Sequence, residues 1–166
     1  EPPGEEKLDP EMQRLKEVNV FTGLSDKQIR EIASLAKRSN VVAGEVLGKA
    51  GETGDSLFIF IQGEAQISAH SAGGEITMRI AGPGQSYPLS ALIGAGTLVT
   101  TGKALTDMEL LTISASGLTD LCTRSPEIGV RIYNNIAEEL INRYGKTLAH
   151  LTLSEDRALE AGIEGG

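Results

Sequence analysis

Gly51-Glu52-Thr53-Gly54-Asp55-Ser56-Leu57-Phe58-Ile59-Phe60-Ile61-Gln62-Gly63-Glu64-Ala65 is the stretch on which the fold turns. Leu57 to Ile61 is continuously apolar, and glycines bracket it on both sides. A run this short, rich in β-branched and aromatic residues, predicts a strand covered on both faces rather than a helix. Downstream, Ala65, Ile67 and Ala69 alternate with Glu64, Gln66 and Ser68, the period of a half-exposed strand. Ile76, Met78 and Ile80 repeat that alternation across a predicted turn at Gly73-Gly74. From Val41 to Ile113 short runs are punctuated by glycine at 44, 48, 51, 54, 63, 73, 74, 82, 84, 94, 96 and 102, with no helical period between them. That texture predicts an antiparallel roll or barrel and excludes a parallel nucleotide-binding sheet.

Helical signals flank this region. Asp9-Pro10 is a helix start, with Met12 and Leu15 carrying a short helix to about Val18. Ser25 and Gln28 form a capping box and Leu24 and Ile29 a hydrophobic staple; Ile29, Ile32, Ala33 and Ala36 make the stripe of a helix predicted over 26–37. After the roll, a short helix is expected around Leu118 to Cys122 and a long one opened by Ser125-Pro126-Glu127. Ile128, Ile132, Ile136, Leu140, Tyr144, Leu148 and Leu151 recur along it at three to four residues, over about 40 Å of straight helix. One small barrel cannot cover so long a stripe, so Ile128 to Ile136 is expected to close over the roll and Leu140 to Leu151 to pair with a second copy. Gly129 and Gly145 each cost roughly 1 kcal/mol in a helix interior, which makes Gly145 a candidate kink or end. The expected plan is a disordered lead-in at 1–8, one domain at 9–153 (helices 9–38, roll 40–114, helices 116–153) and a flexible tail at 154–166. Glu1 in place of Met is expected of a trimmed chain.

Composition removes several functions. The 166 residues carry 15 Lys plus Arg against 23 Asp plus Glu, a formal charge of −8 that repels nucleic acid and anionic lipid. Aromatics at 4% leave no stacking platform for single strands. Cys122 is the single cysteine, so neither an intramolecular disulfide nor a cysteine metal cluster can form, as fits a cytoplasmic protein. No apolar run approaches the ~20 residues of a membrane span. His70 and His150 lie far apart without Asp or Cys at ligand spacing and are expected to face solvent, so no metal site is predicted. Gly96 to Lys103 fails as a phosphate loop: Thr97 stands where the first Gly belongs, and Ala104 where Ser or Thr must bind magnesium. With no nucleophile elbow and no His near Cys122, the chain is not expected to be an enzyme.

Gly44, Gly51, Asp55, Gly63, Gly84, Ala91, Leu92 and Ala104 stand at the turn and packing positions of the cyclic-nucleotide-binding domain family, which this chain resembles over about residues 18 to 150. The resemblance implies an α+β fold: an eight-strand antiparallel, jelly-roll-like β-roll with N-terminal helices and a long C-terminal helix. It also implies a phosphate-binding cassette over Gly84 to Ala104. In the family, Phe-Gly-Glu-x-Ala-Leu is followed nine or ten residues on by Arg; this chain has Tyr87-Pro88-Leu89-Ser90-Ala91-Leu92, with Leu98 or Val99 at the arginine place. In the family that Arg grips the cyclic phosphate and the Glu takes a ribose hydroxyl. Each such charged hydrogen bond is worth roughly 1.5 to 3 kcal/mol, so their loss weakens binding by about two to four orders of magnitude. Pro88 further removes an N–H. The candidate ligand-binding residues are Tyr87, Pro88, Leu89, Ser90, Ala91, Leu98, Val99, Thr100 and Thr101, a lining suited to a small uncharged or weakly charged ligand.

The expected role is a non-enzymatic sensor or regulatory module with a degenerate cassette and no high-affinity cAMP or cGMP binding. Two alternatives stand beside it: weak cyclic-nucleotide binding through backbone donors of Ser90 and Ala91 with Thr100 or Thr101 hydroxyls, and a structural dimerisation or interaction module. No cofactor is expected apart from cAMP or cGMP in the weakened form. A homodimer through the C-terminal helix (Ile132, Ile136, Leu140, Tyr144, Leu148 and Leu151) is the expected partner. Transcription regulators of the family continue into a helix-turn-helix; the residues after Leu151 leave no room for one here, so no DNA binding is expected.

Overall fold

The computed structural model describes residues 6–164. Two helices, α1 (Pro10–Glu17) and α2 (Asp26–Ala33), lead into eight strands: β1 (Ala36–Val41), β2 (Val46–Gly48), β3 (Ser56–Gln62), β4 (Ala65–Ser71), β5 (Gly74–Ala81), β6 (Ser86–Tyr87), β7 (Thr101–Ala104) and β8 (Met108–Ser114). Two more helices close the chain, α3 (Ala115–Arg124) and α4 (Pro126–Glu164). Every strand pairing is antiparallel, in two four-stranded sheets ordered β1-β8-β3-β6 and β2-β7-β4-β5. This is the α+β roll with a long C-terminal helix that the family resemblance implies, and its strands are the antiparallel ones that the glycine pattern predicts.

The first sheet has two apolar faces. Leu57, Ile59 and Ile61 of β3, with Leu111 and Ile113 of β8, pack with Phe21, Ile29, Ile32, Leu118, Ile132 and other helical residues. Phe60 of β3 and Leu110 and Met108 of β8 join Ile67, Ala81, Tyr87 and Ala104 in a second cluster between the sheets. Burying each such large apolar side chain is worth roughly 1.5 to 3 kcal/mol.

The helix starts follow their capping residues. Asp9 accepts the Met12 N–H at 2.8 Å, and the Ser25–Gln28 box is closed in both directions, at 3.2 and 2.9 Å. Ser114 caps α3 by accepting the Gly117 N–H. Gly129 is explained by close approach, since a Cβ there would lie 2.9 Å from the Cys122 carbonyl oxygen at the end of α3.

Several expectations are corrected. α2 stops at Ala33 rather than 37, and Ala36 opens β1, so the roll begins at 36 and not at 40. No Gly or Pro ends the helical pattern there; hydrogen bonding along β8, from Ala36↔Ile113 to Val41↔Met108, outweighs local propensity. Leu8, expected in a disordered lead-in, is buried in the helical core, while residues 1–5 lie outside the described residues. α4 runs unbroken through Gly145, where no neighbouring atom demands a glycine. It also continues through most of the expected flexible tail to Glu164, over a segment rich in Glu, Ala, Leu and Arg. Residues 165 and 166 of that tail lie outside the described residues. At 39 residues α4 is about 58 Å long.

The β4–β5 hairpin differs more instructively. A bulge between Ile67 and Ser68 shifts the register, pairing Ile67 with Arg79 but Ser68 with Thr77. As a result Ile76, Met78 and Ile80 are all exposed, and the cross-strand neighbour of buried Ile67 is an arginine.

Gly51 and Gly63 share a left-handed backbone, φ +88° and +89°, but a Cβ at Gly51 meets open space whereas one at Gly63 would overlap the Asp107 carbonyl oxygen. Gly51→Ala should therefore cost only the backbone strain, about 1 kcal/mol, and Gly63→Ala at least about 1 kcal/mol more. Urea unfolding of the two variants checks this; equal losses would mean that the close approach relaxes freely.

Candidate functional site

The cassette segment leaves β6 through a cis Tyr87-Pro88 peptide bond, makes a 3-10 turn over Leu89–Leu92, and returns through a small-residue loop to β7. The loop is clamped to the 51–54 turn by three backbone hydrogen bonds: Gly51 N–H to Leu98 O (2.8 Å), Leu98 N–H to Glu52 O (2.8 Å) and Gly54 N–H to Gly96 O (2.9 Å). These bonds turn Leu98 inward, at 4% exposure, and leave Val99 outside at 74%. Of the two residues left open at the arginine place, Leu98 is the one that faces the interior.

Two side chains fill the space the cassette surrounds. The Tyr87 hydroxyl donates to Thr100 O at 2.8 Å and lies 3.4 Å from Gly48 O. Its ring presses on β7 so closely that a Cβ on Gly102 would sit 2.6 Å from Cε1. Leu98 presses on the facing turns in the same way: a Cβ on Gly48 would be 2.7 Å from its Cδ1, and one on Gly54 2.6 Å from its Cδ2 and 3.0 Å from the Ala91 Cβ. Gly48, Gly54 and Gly102 lack side chains where Tyr87 and Leu98 need their room. Leu89, Ala91 and Leu92 pack into the helical core, and Pro88 is buried beside them.

The polar groups of the segment are largely engaged within the chain. The Ala91 N–H donates to Pro88 O at 3.2 Å, and Thr101 Oγ1 accepts the Ala50 N–H at 3.0 Å. Ser90 and Thr100 are half-buried. The structure thus brings Tyr87, Ala91 and Leu98 together around the glycines, packs Leu89 against the helices, and points Val99 to solvent.

Along α4, Ile132 and Ile136 are buried on the roll, whereas Leu140, Tyr144, Leu148 and Leu151 are exposed. Sequence reasoning missed the polar contacts that fasten this helix. Tyr133 donates its hydroxyl to Leu92 O at 2.8 Å, joining α4 to the cassette turn, and the Asn135 side-chain amide donates to Val20 O and Thr22 O at 3.0 and 2.8 Å. Both lie just off the apolar stripe, where no residue-type pattern marks them. It also missed Arg79.

Burial pushes the Tyr87 phenol up, partly offset by hydrogen bonding at Thr100 and Gly102 and by the Arg79 charge. Tyr133 and the Cys122 thiol are likewise pushed up by burial, which makes Cys122 a packing residue rather than a nucleophile. His70 and His150 are both exposed, and no group of three metal-ligating side chains occurs among the described residues. No described helix is long and apolar enough to cross a membrane.

An antiparallel roll with a short turn pressed into its side and a long helix fastened to that turn is the fold of a regulatory type of domain. The family model for the cyclic nucleotide-binding domain matches residues 38–125, more than half of the chain, and the chain belongs to that family. It is 29% identical over 111 residues to a cyclic nucleotide-gated potassium channel from Mesorhizobium japonicum, covering 67% of this chain and 30% of the channel. It is 22% identical over 142 residues to the CRP-like cAMP-activated global transcriptional regulator of Mycobacterium tuberculosis, covering 85% of this chain and 63% of the regulator. The chain therefore spans less than two thirds of the length of these relatives. Among solved structures, the N-terminal domain of a transcriptional regulator from Streptomyces coelicolor superimposes with a TM-score of 0.67 at 25% identity, over 78% of this chain and 93% of that one.

Tyr87→Phe keeps the ring against Gly102 and removes only the hydroxyl, so it should lower stability by about 1 kcal/mol. A phenol whose pKa is raised on folding stabilises the fold below its unfolded pKa of about 10, and that contribution is lost as pH rises further. Thermal melts at rising pH should therefore show a shallower alkaline loss in Tyr87→Phe than in the parent, with Tyr133 and Cys122 supplying the remainder.

Proposed function

We propose that this domain is a non-enzymatic regulatory module that signals through α4 and whose cassette, closed by its own Tyr87 and Leu98, does not bind cAMP or cGMP with high affinity. The observation that carries the reading is the packing of those two side chains on Gly48, Gly54 and Gly102. A nucleotide would have to displace both, and neither Leu89 nor Leu98 would repay it with a charged hydrogen bond. The hydrogen bond from Tyr133 to Leu92 supports coupling between the cassette turn and α4, because any movement of that turn must carry or break it. Weak cyclic-nucleotide binding through Ser90, Ala91 and the Thr100 or Thr101 hydroxyl is the second reading: the Ala91 N–H and Thr101 Oγ1 already have partners within the chain, which leaves Ser90 and Thr100 to carry it.

The second half of α4 supports self-association. Ile141, Tyr144, Leu148 and Leu151 are exposed and spaced three and four residues apart, the period of a coiled-coil seam. A second copy pairing along this row would make the module a homodimer.

A thermal melt with millimolar cAMP or cGMP is expected to show no shift. A ligand present at 100 times its dissociation constant would stabilise by about 2.7 kcal/mol, so a clear rise would overturn the closed-cassette reading. In sedimentation, Leu148→Lys should turn a dimer into a monomer with an unchanged melting profile for the roll; an unaltered mass would remove this seam.

A further inference from the structure

Counted back from Ile141 by four, three and four residues, the exposed row on the far half of α4 continues through Ala137 and Asn134 to Val130. All three are exposed, Val130 at 72%. Val130 and Asn134 each stand two residues from buried Ile132, about half a turn away, so the row runs along the side of α4 turned from the roll. It keeps the alternating three-and-four spacing of a two-stranded coil over about 33 Å, from Val130 to Leu151. An open hollow of about 500 Å³ lies at its upper end, lined by Pro126, Glu127, Val130, Arg131 and Asn134. The last four, at spacings of three, one and three, are the set that surrounds one side chain of the facing helix in such a coil.

The charge pattern selects the occupant. From Tyr133 to Leu151 the row and the positions flanking it carry one formally charged side chain, Glu138, while Glu139, Arg143 and Lys146 lie elsewhere on the helix. Two chains of formal charge −8 repel each other, and such a face lets them meet with little like charge in contact. Asn134 selects the direction. Its side chain makes no hydrogen bond among the described residues, unlike that of Asn135, which is spent on Val20 O and Thr22 O. Two copies running the same way in register set Asn134 beside the partner's Asn134, where each amide can donate to the other's oxygen. Running opposite ways along the same row, each would fall near the partner's Leu148 with its amide buried and unmatched.

We propose that α4 pairs with its copy in parallel and in register from Val130 to Leu151, and that the Asn134 pair fixes that orientation. The inference rests on the self-association reading above and adds its direction, its upper limit and the residue that sets its register. Tyr133, next in the chain to Asn134, holds Leu92 O at 2.8 Å, so the polar layer of the coil is tied directly to the cassette turn. A shift of that turn reaches the layer that decides how the two helices meet.

Disulfide trapping reads the orientation, because a disulfide needs Cα atoms within about 7 Å of each other. Val130→Cys and Leu151→Cys, both at exposed sites, are oxidised separately and as an equal mixture, at a concentration where the chain sediments as a dimer. Each variant alone should give a covalent dimer, and the parent, whose single cysteine Cys122 is buried, should not. Links formed only between positions 130 and 151 in the mixture would mean opposed helices, overturning the proposal while leaving the dimer standing. Linking at 151 but not at 130 would end the coil below the hollow and overturn it too. A chain that sediments as a monomer at every concentration would end the self-association reading itself, and this inference with it. Asn134→Leu, a change at an exposed position, should tighten the dimer about tenfold or more while losing the single orientation, so that 130–151 links appear in the mixture. An unchanged pattern of links would remove Asn134 from that role.

Discussion

The architecture depends on covering both faces of β3 and β8. A strand pair apolar on both sides cannot border water, so it must lie in the middle layer of three. The second sheet takes one face and the helices the other. That demand explains why helices bracket the roll in sequence: α1 and α2 cover one part of the outer face, and α3 with the start of α4 the rest. Beyond Ile136 no sheet remains to cover, and α4 leaves the body with its apolar row exposed.

The inner face sets the terms for the cassette. Between the sheets, Phe60, Ile67, Leu110 and Tyr87 already pack to closure, and the turn backbones come near enough to forbid a Cβ at Gly48, Gly54 and Gly102. Leu98 serves shape here: its methyl groups take the room that a side chain at Gly48 or Gly54 would need. Tyr133 joins the cassette turn to α4 by its hydrogen bond to Leu92 O.

Features coded by a few adjacent residues were legible in the sequence. The capping box at Ser25, the buried run of β3, the glycine turns and the long stripe of α4 each depend on short-range chemistry, and all are present. Features decided by long-range pairing were not. Residues 34–37 continue a helical pattern but give way to hydrogen bonding with β8, seventy-odd residues away. The apolar alternation of β5 suggested that Ile76, Met78 and Ile80 face inward, yet one bulge, with Met78 of β5 as its unpaired residue, shifts the pairing and brings Arg79 opposite Ile67. At the cassette, the sequence pointed to an apolar lining open to a small ligand; that Tyr87 presses on Gly102 and Leu98 on Gly48 and Gly54, with Leu98 rather than Val99 turned inward, was decided by long-range packing and the three hydrogen bonds to the 51–54 turn.

The same bulge gives the electrostatics of the roll their direction. A strongly acidic chain keeps most of its charge on exposed surfaces, where water screens it. Arg79 is drawn out of that pattern by strand register, half-buried opposite Ile67, and burial lowers its pKa. Tyr87 and Leu98 take the room that side chains at Gly48, Gly54 and Gly102 would need, while the far half of α4 keeps its apolar row exposed.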